Sequence, residues 1–254
     1  MLRRTIALAA LALLATATEV GANEHGGVGA NEALARLGHG NRRFMAASAT
    51  HPDQSAVRRI EQAAGQTPFA IVLCCSDSRV PPEVVFDQGL GNLFVVRVAG
   101  NVADDIGIAS IEYAAEHLGV HLCVVLGHER CGAVTAAVKG DPLPGHLLNL
   151  MEVLAPAVAA TSGQPGDRVA DAVTANVELT AERLRECAPI LNKLVDEGEL
   201  QVVGAEYDLD TGEVVFTQPV SRPLARRAAP PAESHATSHA APVTASPAAS
   251  HGGH

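Results

Sequence analysis

Residues 70–86, "AIVLCCSDSRVPPEVVF", end an apolar run in two adjacent cysteines and then set a carboxylate, Asp77, and a guanidinium, Arg79, within four residues. A second stretch, "HLCVVLGHERCGAV" (121–134), ends a similar run at His128 and Cys131. If both runs are parallel strands, their carboxyl ends share the edge where open α/β sheets place their sites. Cys75, His128 and Cys131 then come within reach of one point. Two soft thiolates and one imidazole suit Zn²⁺, and three protein ligands with a fourth position open is the catalytic arrangement, not the closed structural one. Taken singly, each cysteine reads as a small buried hydrophobe and His128 as a hydrogen-bonded histidine. Taken together, and with an Asp/Arg pair beside one cysteine, they favour a metal site. Other chemistries fail on spacing. Arg79 follows Cys75 after three residues and Cys74 after four, too few for a phosphatase-type loop. "GLGN" (89–92) runs into a strand, not a helix, so it lacks the context of a dinucleotide-binding turn. Ser76 and Ser78 have no base partner and read as loop residues before the Pro81-Pro82 helix start.

Such a site needs strands that end together. "FAIVLCC" (69–75), "LFVVRVA" (93–99) and "HLCVVLG" (121–127) are short, β-branched and apolar throughout, as in strands covered on both faces. Helix-like spacing separates the second from the third, over "DDIGIASIEYAAEHL" (104–118), and resumes at "CGAVTAAVKG" until Gly140. Strands alternating with helices of this length predict an α/β fold with a mostly parallel central sheet flanked by helices. Two more helical stretches (146–160 and 169–186) follow, and Pro189 interrupts the second. "LQVVGAEYDLDTGEVVFT" (200–217) reads as a hairpin around an Asp-Thr-Gly turn. The expected sheet therefore has about four parallel strands and a C-terminal antiparallel one. At the other end, "NEALARLGHGNRRFMAAS" (31–48) predicts an N-terminal helical arm broken by Gly38 and Gly40, and a polar helix follows over 53–64.

The chain's 254 residues, 47% apolar and 18% charged, suit one α/β domain. A formal charge of -10 argues against nucleic-acid and anionic-membrane partners, which need a basic face. Arg3 and Arg4 precede "TIALAALALLATA", too short to span a bilayer and followed by small residues, so 1–22 reads as a cleaved export signal. Cleavage after Ala22 fits best, with Ala17 the alternative. No membrane contact is expected after cleavage, and the mature protein is expected to be periplasmic or secreted. From 226 to 254 the chain is almost entirely Ala, Pro, Ser, Thr, Gly and His, a composition expected to form a disordered tail. Its His235, His239, His251 and His254 could hold a metal loosely. Five cysteines, at 74, 75, 123, 131 and 187, have no disulfide-framework spacing. In an exported protein a bound metal would protect such thiolates.

"CSDSRV" followed by "PE", "GNLFVVRVAGN" and "GHERCGAV" at these separations resemble the β-class carbonic anhydrases, over about 30–218, with the domain itself at 31–221. The resemblance implies one Zn²⁺ per subunit on Cys75, His128 and Cys131, a catalytic dyad of Asp77 and Arg79, and a homodimer that can assemble into a tetramer. It implies reversible hydration of CO₂ to bicarbonate and a proton, through a zinc-bound hydroxide oriented by the dyad. The chain departs from the commonest pattern at Val98, where many members have Asn. It also has no Trp, which speaks against the bicarbonate-inhibited subgroup. Gln88 stands near the place of a substrate-contacting Gln, one residue out of register. Val80, Val84, Phe86 and Tyr113 are candidates for an apolar CO₂ pocket, or else ordinary core. His117, His121 and the tail histidines are candidate proton shuttles. The alternatives are a carbonyl sulfide or carbon disulfide hydrolase on the same zinc ligands, and a non-catalytic zinc-binding protein. A redox pair of Cys74 and Cys75 is disfavoured, because adjacent strand residues point to opposite faces.

Overall fold

A strand that is apolar at every position needs cover on both faces, and the helices of this chain supply it for 70–74 and 122–128, whereas the run at 93–97 lies at the sheet edge and stays half-buried. The computed structural model describes residues 27–217. The expected export signal (1–22) and the His-containing tail (226–254) lie outside the described residues. In chain order, helix α1 (Ala30–Met45) and helix α2 (Ala56–Gln62) precede strand β1 (Ala70–Cys74). Helix α3 (Pro82–Val85) leads to β2 (Leu93–Arg97), a 3-10 turn (Ala99–Asn101), α4 (Asp105–Glu112), a π turn (Tyr113–His117) and β3 (Leu122–His128). Helices α5 (Gly132–Lys139), α6 (Leu147–Ala160), α7 (Arg168–Glu186) and α8 (Leu191–Asp196) come next, and strands β4 (Gln201–Tyr207) and β5 (Val214–Phe216) close the order.

The sheet runs β2-β1-β3-β4-β5. The first four strands are parallel and only β4–β5 is antiparallel, as the strand-helix alternation predicts. Side chains alternate between two cores. Ala70, Val72, Cys74, Leu122, Val124 and Leu126 meet Ala33 and Leu37 of α1 on one face. Ile71, Leu73, Cys123 and Val125 meet Ile108 and Ile111 of α4 and Val177, Ala181 and Leu184 of α7 on the other. Two glycines let α7 come close to the sheet. A Cβ at Gly127 would lie 2.4 Å from Val177 Cγ2, and one at Gly204 would lie 2.7 Å from Val177 Cγ1.

Helix α1 differs from its expected form, because it runs unbroken through Gly38 and Gly40. Gly40 is where the helix crosses the backbone after α3, and a Cβ there would fall 1.7 Å from the Phe86 carbonyl oxygen. Close approach, not a helix break, explains this glycine. Asn41 on the next position donates to the carbonyls of Val85 (3.2 Å) and Gly212 (2.8 Å) and accepts from Val214 N–H (3.0 Å), tying α1 to α3 and to β5.

Asp87 makes a second tie. Its carboxylate accepts from Arg43 Nε at 2.6 Å, from the Thr50 N–H at 3.0 Å and hydroxyl at 3.1 Å, and from the His51 N–H at 2.9 Å. Burial works against its charge, but these donors outweigh it and bring its pKa down from 3.8 to about 2. A carboxyl depressed in the folded state contributes stability that is complete above about pH 4 and is lost as the pH falls towards 2. Asp87→Asn should therefore melt at a lower temperature than wild type at pH 7, with the gap narrowing from about pH 4 downward in thermal melts. A gap of constant size across that range would remove Asp87 from the acid response.

Candidate active site

Strand β1 ends at Cys74, and the chain turns so that Cys75 leaves the sheet edge. Cys74 and Cys75 do not form a pair: Cys74 packs beneath α1, whereas Cys75 lies with Val102, Cys131, Val134 and Leu154 at the carboxyl ends of the strands. Burial pushes the Cys74 thiol up to about 12, so it is an inert packing group. His128 closes β3 and is fully buried. Cys131 follows as the N-cap of α5, with its sulfur at the positive end of the helix.

Their places at strand ends predict convergence of Cys75, His128 and Cys131, and their ligand atoms do lie within 4.8 Å of one another. The two sulfurs are 4.0 Å apart. The Nδ1 of His128 lies 2.8 Å from the Glu129 carbonyl, which can only accept, so Nδ1 carries the proton and Nε2 presents a lone pair. That Nε2 is buried and has no hydrogen-bond partner. An orphaned imidazole lone pair facing two buried sulfurs is a donor set that fits zinc, with its tautomer fixed from behind as in known metal-binding histidines. Hydrogen bonding from the Cys131 thiol holds Cys75 well below the usual thiol range, against burial, with further help from the amides of Asp77 and Gly100. The same hydrogen bond, with burial, pushes Cys131 the other way.

The dyad forms one compact unit. Arg79 donates through Nε to Asp77 Oδ1 at 2.9 Å and through Nη2 to Oδ2 at 2.7 Å, while its N–H also reaches Oδ1 at 2.9 Å. These hydrogen bonds hold the Asp77 carboxyl well below the usual carboxylate range. Asp77 Oδ2 lies 3.8 Å from His128 Nε2, so the carboxylate borders the ligand cluster.

Two site residues escape the sequence reading. Arg97, at the end of β2, donates to the Cys75 carbonyl (3.0 Å) and the Asp77 carbonyl (2.6 Å), clamping the loop that carries both. A lone charge in "LFVVRVA" was the available signal. Gly100 donates its N–H to Cys75 Sγ at 3.3 Å, and no side-chain pattern announces that bond.

Several weaker candidates lie elsewhere. Gln88 donates to the Phe86 carbonyl (2.9 Å) and accepts from Asn92 (3.2 Å), among residues that include Phe69 at the amino ends of β1 and β2. That is the edge opposite the cluster. His121 also belongs to that edge, with Nδ1 2.7 Å from the Glu199 carbonyl. Val80 and Phe86 are fully buried in the core under α1, and Phe86 stacks on Phe216 at 6.2 Å. Val84 and Tyr113 are about half exposed at the surface, Tyr113 against Phe94 and His117.

Comparison with known proteins places this arrangement. A profile of the carbonic anhydrase family matches residues 70–214. Carbonic anhydrase 2 of Mycobacterium tuberculosis is 42% identical over 184 residues, 71% of this chain and 89% of that protein. The carbonic anhydrase of Mycolicibacterium smegmatis is 38% identical over 182 residues, 70% of this chain and 88% of that one. Among solved structures, a tetrameric β-carbonic anhydrase of Sordaria macrospora has 26% identity and a TM-score of 0.58, covering 73% of this chain and 91% of its own. Likeness in sequence spans most of the described chain, and the parallel sheet with its one antiparallel edge strand is shared with the solved relatives. The protein therefore belongs to the carbonic anhydrase family, in its β class, and is an enzyme of that kind.

Proposed function

We propose that the chain catalyses CO₂ + H₂O ⇌ HCO₃⁻ + H⁺ with one zinc ion per subunit held by Cys75, His128 and Cys131. The observation that carries this reading is the buried, unpartnered Nε2 of His128 facing the sulfurs of Cys75 and Cys131. When bound there, zinc supplies the Lewis acidity that makes a water molecule acidic near neutral pH. The chain's own groups do the rest. Asp77, kept ionised by Arg79, accepts a hydrogen bond from the attacking oxygen and so turns a lone pair towards CO₂. Arg79 holds that carboxylate in two parallel hydrogen bonds and keeps it off the metal position. Arg97 fixes the backbone on either side of Ser76, so ligand and acceptor keep their spacing.

The working form is proposed to be a homodimer or tetramer in the periplasm or outside the cell, freed of residues 1–22 and carrying the 226–254 tail. Export is supported by the leader-like composition of the first residues. Self-association is supported by β2, an edge strand with a half-buried apolar run, beside exposed Ile106 (77%) and Tyr113 (47%). The tetrameric relatives of Sordaria macrospora add to that support.

The test is stopped-flow CO₂ hydration by the full mature chain, with zinc content measured on the same sample. Turnover proportional to zinc, at one ion per chain, is the expected result. Hydrolysis of carbon disulfide without CO₂ hydration would assign the sulfur-substrate activity instead.

A further inference from the structure

Helix α7 supplies no ligand, yet one of its residues reaches the metal-binding thiolate through a single intervening glycine. We propose that Asn176 is a positioning residue for Cys75, an inference that rests on the zinc assignment to Cys75, His128 and Cys131. Asn176 is 4% exposed and sits in the middle of α7 between the apolar residues Val173 and Val177. Asparagine is a poor helix-interior residue and a costly one to bury, so its side chain needs a partner there. Its Nδ2 donates to the Gly100 carbonyl at 2.7 Å. The N–H of the same Gly100 donates to Cys75 Sγ at 3.3 Å.

The glycine between them is held, not relaxed. Gly100 has φ 68° and Asn101 has φ 46°, two successive left-handed residues in a buried 3-10 turn. A Cβ at Gly100 would press on Ala133 and Leu154 at 3.3–3.4 Å. Such a turn persists only when its surroundings over-determine it. Asn176 fixes the carbonyl side of Gly100, and that sets the direction of its N–H towards the sulfur. The anchor is itself firm, because Gly127 and Gly204 let the Val177 side chain of α7 press directly on β3 and β4. Since Gly127 precedes His128, the face of α7 that pins Gly100 also packs against the strand that delivers the imidazole.

A buried asparagine can also serve the fold alone, and Asn41 is such a residue, tying α1 to α3 and β5 away from the ligand cluster. The test compares full-length Asn176→Ser and Asn176→Asp with Asn41→Ser. Three quantities are measured: melting temperature, zinc affinity against a competing chelator, and the thiolate-to-metal charge-transfer band of the cobalt(II)-substituted protein. All variants should melt lower. Only the Asn176 variants should lose zinc affinity, by about 10–100-fold, the range for outer partners of metal ligands. Only they should shift the cobalt band to lower energy, as a thiolate that has lost an N–H donor becomes the better electron donor.

Wild-type affinity and an unmoved band in Asn176 variants, despite lowered melting, would overturn the positioning role. Wild-type protein that binds no zinc would instead overturn the ligand assignment, and this inference with it. If neither Asn176 variant folds, wild-type protein loaded with ¹¹³Cd decides: the Gly100 amide proton should show scalar coupling to cadmium across the N–H···S bond, and its absence sinks the proposal.

Discussion

Arg79→Lys is expected to keep its zinc and to lose CO₂ hydration by about 100-fold or more, the scale of removing one preorganised donor from an active site. The size of the effect follows from geometry. Arg79 meets both oxygens of Asp77 in parallel, at 2.9 and 2.7 Å, and a lysine ammonium cannot reproduce that fork. Its side chain is half exposed, so little of the loss can come from unfolding. With only a point charge beside it, Asp77 keeps much of its negative charge and loses its direction. Its Oδ2 already stands 3.8 Å from His128 Nε2, near enough for a released carboxylate to turn into the cluster and compete for the fourth position of the proposed metal site. Zinc content and stopped-flow rate on the same preparation check this. Wild-type turnover in the lysine variant would show that the restraint is not needed, and lost zinc would show that Arg79 acts on the metal instead of the acceptor.

The part of this site legible in the sequence is the part written in side-chain types. Strands covered on both faces are apolar at each position, so "AIVLC" and "LCVVLGH" declare themselves, and the convergence of Cys75, His128 and Cys131 follows because each stands at or just beyond the end of such a run. The pairing of Asp77 with Arg79 is legible for the same reason, since they are the first charges after a buried strand. Arg97 and Gly100 were not, because they act through backbone groups: Arg97 on the carbonyls of Cys75 and Asp77, Gly100 through its own N–H. A pattern of residue types does not tell which peptide faces which sulfur. The glycines of α1 mislead by a related route. Local propensity counts a helix glycine as a loss of about 1 kcal/mol, whereas Gly40 stands where a distant carbonyl crosses the helix and no Cβ fits. Gln88 stands before β2 and so at the amino end of that strand, the edge opposite the ligand cluster within one chain.

Removing zinc should lower the melting temperature by about 8–16 °C, and adding it back at pH 7 should release about one proton per chain. The three proposed ligands come from just after β1, the end of β3 and the N-cap of α5, so an ion on all three would tie separate elements that only the folded state brings together. Free zinc at a thousand times its dissociation constant stabilises the folded chain by about 4 kcal/mol. At about 2–4 °C per kcal/mol for a chain of this size, that gives the range above. The proton count follows from the pair of thiols. Without metal, the hydrogen bond from Cys131 favours the thiolate at Cys75 while Cys131 keeps its own proton, and His128 turns its Nδ1–H away from the sulfurs to the Glu129 carbonyl. Only the Cys131 proton then has to leave when both sulfurs become ligands. Calorimetric zinc titrations in buffers of different ionisation enthalpy measure the number. Release of two protons would place a proton on Cys75 in the apo protein, and an apo form that melts with the loaded one would remove these residues as the metal ligands.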